Sequence, residues 1–140
     1  MAHYREAAAL QPNGPTAYFC QAVTLARQHQ RSESISSFQA AVYMNPQFWQ
    51  ARYFLGMELA GENRIVEGQA QFSEITRIRP DFDRAHLNFA VSLAKQGKLG
   101  EAQRELQLTL KLNPTNSIAQ RNLEAVQANI EALKARGQNP

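Results

Sequence analysis

A proline returns at a fixed interval along this chain: Pro12, Pro46, Pro80 and Pro114 each stand 34 residues from the next. Self-similarity at a period of roughly 20–50 residues constrains a fold more than any single motif does, because it calls for stacked copies of one small unit. Far more than the prolines falls on this frame. Ala17, Ala51, Ala85 and Ala119 share one column, and Ala26, Ala60, Ala94 and Ala128 another. Leu25, Leu59 and Leu93 form a third, and Glu33, Glu67 and Glu101 a fourth. Large apolar residues occupy the columns Phe38, Phe72, Leu106 and Met44, Ile78, Leu112.

Within each period the spacing predicts two helices. Pro15 suits the start of a helix, where its missing N–H costs little, and Asn45-Pro46 ends one, because the residue before proline is pushed out of the α region. Ser32 reads as an N-cap and Gly97 as a terminator. The expected helices are 2–11, 16–28, 32–44, 49–61, 65–78, 83–96, 99–112 and 117–135, with no strand. Small residues mark where paired helices cross closely: Ala22, Gly56 and Ala90 in one column, Ser34, Gly68 and Ala102 in the other. The Glu33 column follows each inter-helix turn, where a carboxylate meets the positive end of the helix dipole.

The two ends depart from the frame. Residues Ala2 to Gln11 align with the second half of a unit, Tyr4 over Phe38 and Leu10 over Met44. We read the start, Met1 with Ala2 and His3, as a boundary cut into a longer array; the alternative is a native start with an atypical capping helix. The uncovered apolar face of that orphan helix is expected to be a weak point or a self-association surface. At the other end Ala119, Leu123, Val126, Ile130 and Leu133 keep one apolar stripe, while Glu124 and Gln127 replace the small and apolar residues of their columns. That is a solvating cap, with fraying expected from Gly137.

Composition narrows the function. With 44% hydrophobic and 19% charged residues the chain is not wholly disordered. Fifteen basic against 12 acidic residues give +3, too mild and too scattered for a nucleic-acid surface. No run approaches the ~18 apolar residues of a membrane span, and the opening residues lack the pattern of a secretory signal. One cysteine, Cys20, and three scattered histidines offer neither an internal disulfide nor a metal-ligand spacing. No glycine loop for phosphate is present. The expectation is no enzyme activity, no cofactor and no metal; the compartment stays open, with the cytoplasm favoured.

The repeat resembles the tetratricopeptide repeat, whose 34-residue unit has a Trp-x2-Leu-Gly-x2-Tyr…Ala-x3-Phe…Pro skeleton. The third unit supplies His86, Phe89-Ala90, Leu93, Ala102, Leu106 and Pro114; the second Arg52, Leu55-Gly56, Leu59, Gly68, Phe72 and Pro80; the first Tyr18, Gln21-Ala22, Leu25, Ser34, Phe38 and Pro46. Arg52 and His86 depart from the aromatic, and Gln21 from an apolar residue. The resemblance implies an all-α, right-handed α-solenoid of antiparallel helix pairs. It would be one array: half repeat 1–14, repeats 15–48, 49–82 and 83–116, and capping helix 117–136. It also implies a module that binds proteins, of a kind found as tails on many bacterial proteins, with the first helix of each pair lining a concave groove.

By that analogy the groove residues are Phe19, Val23 and Arg27, then Tyr53 and Met57, then Arg84, Leu87, Asn88, Val91 and Lys95, with Arg121 and Asn122 beyond. The apolar pairs suggest an apolar or amphipathic peptide ligand; the alternative is that they are buried core. Members that clamp the acidic tails of heat-shock chaperones carry Lys and Asn where this chain has Phe19, Val23 and Phe54, so only the cation Arg84 survives of that set. An asparagine ladder would fall on Cys20, Phe54, Asn88 and Asn122, and half of it is present. The competing function is a structural or self-associating spacer without a dedicated ligand.

Overall fold

The structure, a computed structural model, describes residues 2–140; Met1, named above with the boundary at the start, lies outside them. Among the described residues there are eight helices and no strand. They are α1 (Ala2–Leu10), α2 (Pro15–Arg27), α3 (Arg31–Met44), α4 (Trp49–Gly61), α5 (Ile65–Ile78), α6 (Asp83–Lys95), α7 (Leu99–Leu112) and α8 (Ser117–Ala135). The expected boundaries hold to within one residue at every end. The chain divides into two compact units, one ending at Arg64 and one starting at Ile65. In the first, α1 packs on α2, α2 on α3 and α3 on α4; in the second, α5 packs on α6, α6 on α7 and α7 on α8, and α6 also touches α8.

The period is built into the backbone. After α2, α4 and α6 the chain turns through one left-handed residue, His29 (φ 60°), Asn63 (φ 63°) and Gly97 (φ 76°), which are 34 residues apart. The next amide in each case, of Gln30, Arg64 or Lys98, donates to the carbonyl of Leu25, Leu59 or Leu93 at 2.9–3.0 Å. This is a Schellman closure, which satisfies carbonyls that a helix end would otherwise leave unpaired. Only the third turn spends a glycine on it. The second-helix ends repeat too: the amides of Asn45, Arg79 and Asn113 donate back to Ala41, Ile75 and Thr109.

Two residues that departed from the aromatic consensus prove to be ties. Arg52 Nε donates to the Pro46 carbonyl at 2.8 Å, and one repeat later His86 Nε2 meets the Pro80 carbonyl at the same distance. A carbonyl can only accept, so Nε2 donates in this contact. The other ring nitrogen stands 2.7 Å from Glu105 Oε2, which fastens α6 to α7. Ser32 corrects the expected N-cap: α3 begins one residue earlier, after Gln30, with no side-chain cap. Arg31 at its first position ties α3 to α4 of the next repeat instead, with Nε 3.0 Å from Glu58 Oε2 and Nη1 3.1 Å from the Gly61 carbonyl.

The crossing columns are buried as expected, and Ser34 Oγ donates to the Ala22 carbonyl at 3.0 Å where α2 and α3 approach. In the first unit the core is largely aromatic, with Phe19, Phe38 and Phe48 buried beside Ala22, Ile35, Leu55 and Leu59. In the second it is aliphatic: Leu93, Leu99, Leu106, Val126 and Ile130 close over Ala90, Ala102 and Ala119. No residue of α1 is buried; Tyr4 leans its ring on Phe19 with centroids 4.9 Å apart, while Leu10 is 85% exposed.

Two measurements check this reading. His29 pays the steric cost of a left-handed backbone that glycine does not, so His29→Gly should raise stability by ~0.5–1 kcal/mol in urea melts, and Gly97→Ala should lower it by at least as much. Amides in α1 should exchange with deuterium well ahead of those in α7, because nine residues without a buried anchor hold a helix only weakly.

Candidate functional site

Side chains four apart on a helix stand in one ridge, so each first-of-pair helix presents a row. In the first unit the rows are Phe19, Val23 and Arg27 on α2, and Tyr53 and Met57 on α4. The expectation that Phe19 lines an open groove is overturned. It is 2% exposed and forms the hub of an aromatic cluster, with ring centroids 5.0 Å from Phe48 and 5.9 Å from both Phe38 and Phe54. Tyr4 from α1 and Phe48 from the turn before α4 cover it, which is why a position on the inner row became core. Val23 is half-buried against the same cluster, and Arg27 is exposed.

What remains open in this unit is the α4 side. Phe54 is 43% and Met57 45% exposed, and Tyr53 is half-buried. Phe54 lies stacked on Phe38 (interplanar angle 8°) and meets Tyr53 edge-on at 5.8 Å. A large aromatic that shows one face to solvent while held by two rings is a rigid apolar contact surface. Cys20, in the column of Phe54, is half-buried; burial pushes its thiol up, with the nearby Arg5 charge offsetting part of that, so it is not an activated nucleophile.

In the second unit the rows are Leu87, Val91 and Lys95 on α6, and Arg121, Ala125 and Asn129 on α8. Between them lies a cleft of about 300 Å³, floored by Ala90, Leu99, Leu106 and Val126. Val91 and Lys95 line it from α6, and Asn122, Ala125 and Asn129 from α8. Of the expected groove residues the structure therefore brings Val91, Lys95 and Asn122 together. Leu87 and Asn88 are half-buried one turn away, and Arg84 and Arg121 are exposed. Ala94, Ala125 and Asn129 were missed. Ala125 and Asn129 fall on the columns of Val91 and Lys95, so carrying those columns one repeat further would have found them.

The electrostatics of these rows have one sign. Arg84, Lys95 and Arg121 make no ion pair among the described residues, and no carboxylate stands in either row. Among the described residues the side-chain amides of Asn122 and Asn129 have no hydrogen-bond partner. Lys95 and the amides of Asn122 and Asn129, unpaired where they line the apolar cleft, are groups available to a ligand; Arg121 and Arg84 are not among its lining residues. Among the described residues no group of three or more His, Cys, Asp or Glu side chains is placed to hold a metal ion, and no helix is long and apolar enough to cross a membrane.

With this geometry in view, the solved structures settle the fold. The first tetratricopeptide repeat domain of Spaghetti (RPAP3), bound to an HSP90 peptide, superposes with a TM-score of 0.79 at 13% identity, over 84% of this chain and 93% of that one. MamA from Desulfovibrio magneticus RS-1 gives 0.81 at 16% identity, over 96% and 76%. The tetratricopeptide domain of Arabidopsis OM64 gives 0.77 at 12% identity, over 84% and 97%. The chain has the tetratricopeptide-repeat fold. No protein-family profile matches it, and no curated protein does.

Proposed function

We propose that this chain is a protein-interaction module that holds a peptide segment of its partner against the inner rows of its first-of-pair helices. One observation carries the reading: the α6–α8 cleft joins an apolar floor to one cation, Lys95, and two amides, Asn122 and Asn129, that have no partner among the described residues. Concave, mainly apolar sites with a few convergent polar groups are what recognition sites look like. The exposed Phe54 and Met57 offer a second apolar contact in the first unit. Aromatic and Met side chains are over-represented where interfaces concentrate their energy. Spaghetti is recorded with an HSP90 peptide, but the cation set that would clamp an acidic chaperone tail is replaced here by Phe19, Val23 and Phe54, so a ligand of different pattern is expected.

Self-association is the second reading, favoured by the exposure of Leu10 on α1 and of Tyr43 and Met44 at the end of α3.

A displayed peptide library separates the two. Peptides held in the second unit should be lost on Ala125→Arg, which fills the cleft from an exposed position, and any held on the first unit should be weakened by Tyr53→Ala with Met57→Ala, on the order of 2 kcal/mol for an aromatic anchor. Thermal melts should stay nearly unchanged for Ala125→Arg; a collapsed melt would mean that core had been altered. Under the second reading, light scattering should show a concentration-dependent oligomer that Leu10→Gln abolishes, with no peptide selected.

A further inference from the structure

One cation, Lys95, lines the α6–α8 cleft, a second, Arg121, stands one helical turn before its lining residue Ala125, and that spacing carries a specificity. The residues that line it from α6 run from Ala90 to Lys95 and those from α8 from Asn122 to Asn129, so positions one repeat apart face each other at one level. Lys95 and Asn129 share the upper level, and Val91 and Ala125 the middle one over the apolar floor. Leu87 and Arg121, one turn beyond the lining residues, share the lower level. Four residues separate successive levels, about 6 Å along an α-helix axis, so the two cations stand about 12 Å apart along the cleft with the apolar floor midway. An extended chain advances roughly 3.3 Å per residue and points every second side chain the same way. Residues i, i+2 and i+4 of such a chain therefore face one side at about 0, 6.6 and 13 Å, which matches a cation, an apolar pocket and a second cation.

We propose that the cleft selects an extended segment of the form acidic–x–apolar–x–acidic, its central aliphatic or aromatic side chain seated between Val91 and Ala125 and its two carboxylates held by Lys95 and Arg121. The inference rests on the binding function proposed above and adds the class of partner. The pattern reads the same in both chain directions, so it does not depend on which way the segment runs. Arg84, three residues below Leu87 and about 16 Å from Lys95 along the helix, falls outside the reach of this five-residue frame. Glu124, the acid nearest Arg121 in sequence, makes no ion pair with it. The long Lys and Arg side chains take up the offset across the cleft, and the free amides of Asn122 and Asn129 lie where the backbone of the segment would pass.

Fluorescence anisotropy on the whole chain tests this with acetylated, amidated nine-residue peptides centred on Glu-Ser-Leu-Ser-Glu. Replacing the Leu by Ser should weaken binding about tenfold or more, as loss of a buried aliphatic side chain does. Replacing both Glu by Gln should weaken it by a few-fold and flatten its salt dependence. Moving the second Glu one place along should act like removing it. On the protein side, Lys95→Gln and Arg121→Gln should each weaken binding, and Arg104→Gln, on α7 outside the cleft lining, should leave it unchanged; all three positions are exposed, and melts confirm that the variants are folded. Equal binding of the Glu and Gln peptides, indifference to where the second acid sits, or an Arg104→Gln effect as large as that of Arg121→Gln would overturn the proposal. Library-selected peptides that compete at the cleft without flanking acids would overturn this specificity and leave the binding function standing. A library that yields no binder would overturn both.

Discussion

Helix backbones can come close only where side chains stay out of the way, and both units depend on that approach. At the α2–α3 crossing Ala22 has no exposed surface, and the Ser34 hydroxyl is near enough to donate to its carbonyl. At the α6–α7 crossing Ala90 and Ala102 play the same parts with methyl groups alone. The close crossing brings the larger neighbours, Phe38 in one unit and Leu93 and Leu106 in the other, into contact and out of water. At about 25 cal/mol per Å² of apolar surface, that burial outweighs what any exposed ion pair here supplies. The site shares the same constraint: Ala90, fully buried at the α6–α7 crossing, also lines the α6–α8 cleft.

Most of the scaffold was legible because it depends on local rules that the sequence repeats. Proline after a second helix, an acid in its first turn and small residues at the crossing each act within a few residues, and three copies reinforced the reading. The turns were less legible. His29 and Asn63 hold a left-handed backbone that glycine would adopt more readily, and nothing in the single residue types announces it. Only their register with Gly97 does. Ser32 misled because a good capping residue lay one place inside a helix whose first position was taken by Arg31, which is committed to the facing helix.

The site was legible in part, for a physical reason. Val91, Lys95 and Asn122 lie on rows that periodicity identifies, but whether a row is open depends on what covers it, and that is a long-range matter. Phe19 has the same register as open positions elsewhere and is still core, because Tyr4 and Phe48 arrive from outside its own helix pair. Likewise His86 looked like a packing residue in an aromatic column. Its partners, Glu105 and the Pro80 carbonyl, are separated from it by 19 and 6 residues and could not be assigned from spacing alone.

The ring contact between Tyr4 and the Phe19–Phe48 cluster also orders events in time. Nine residues are too few to nucleate a stable helix in water, so α1 can form durably only on a template that already exists. That template includes Phe48, which lies beyond the whole of α2 and α3 in the chain. During synthesis the Phe48 side of that surface emerges only some forty residues after α1, so this ring contact closes long after its first partner has been made.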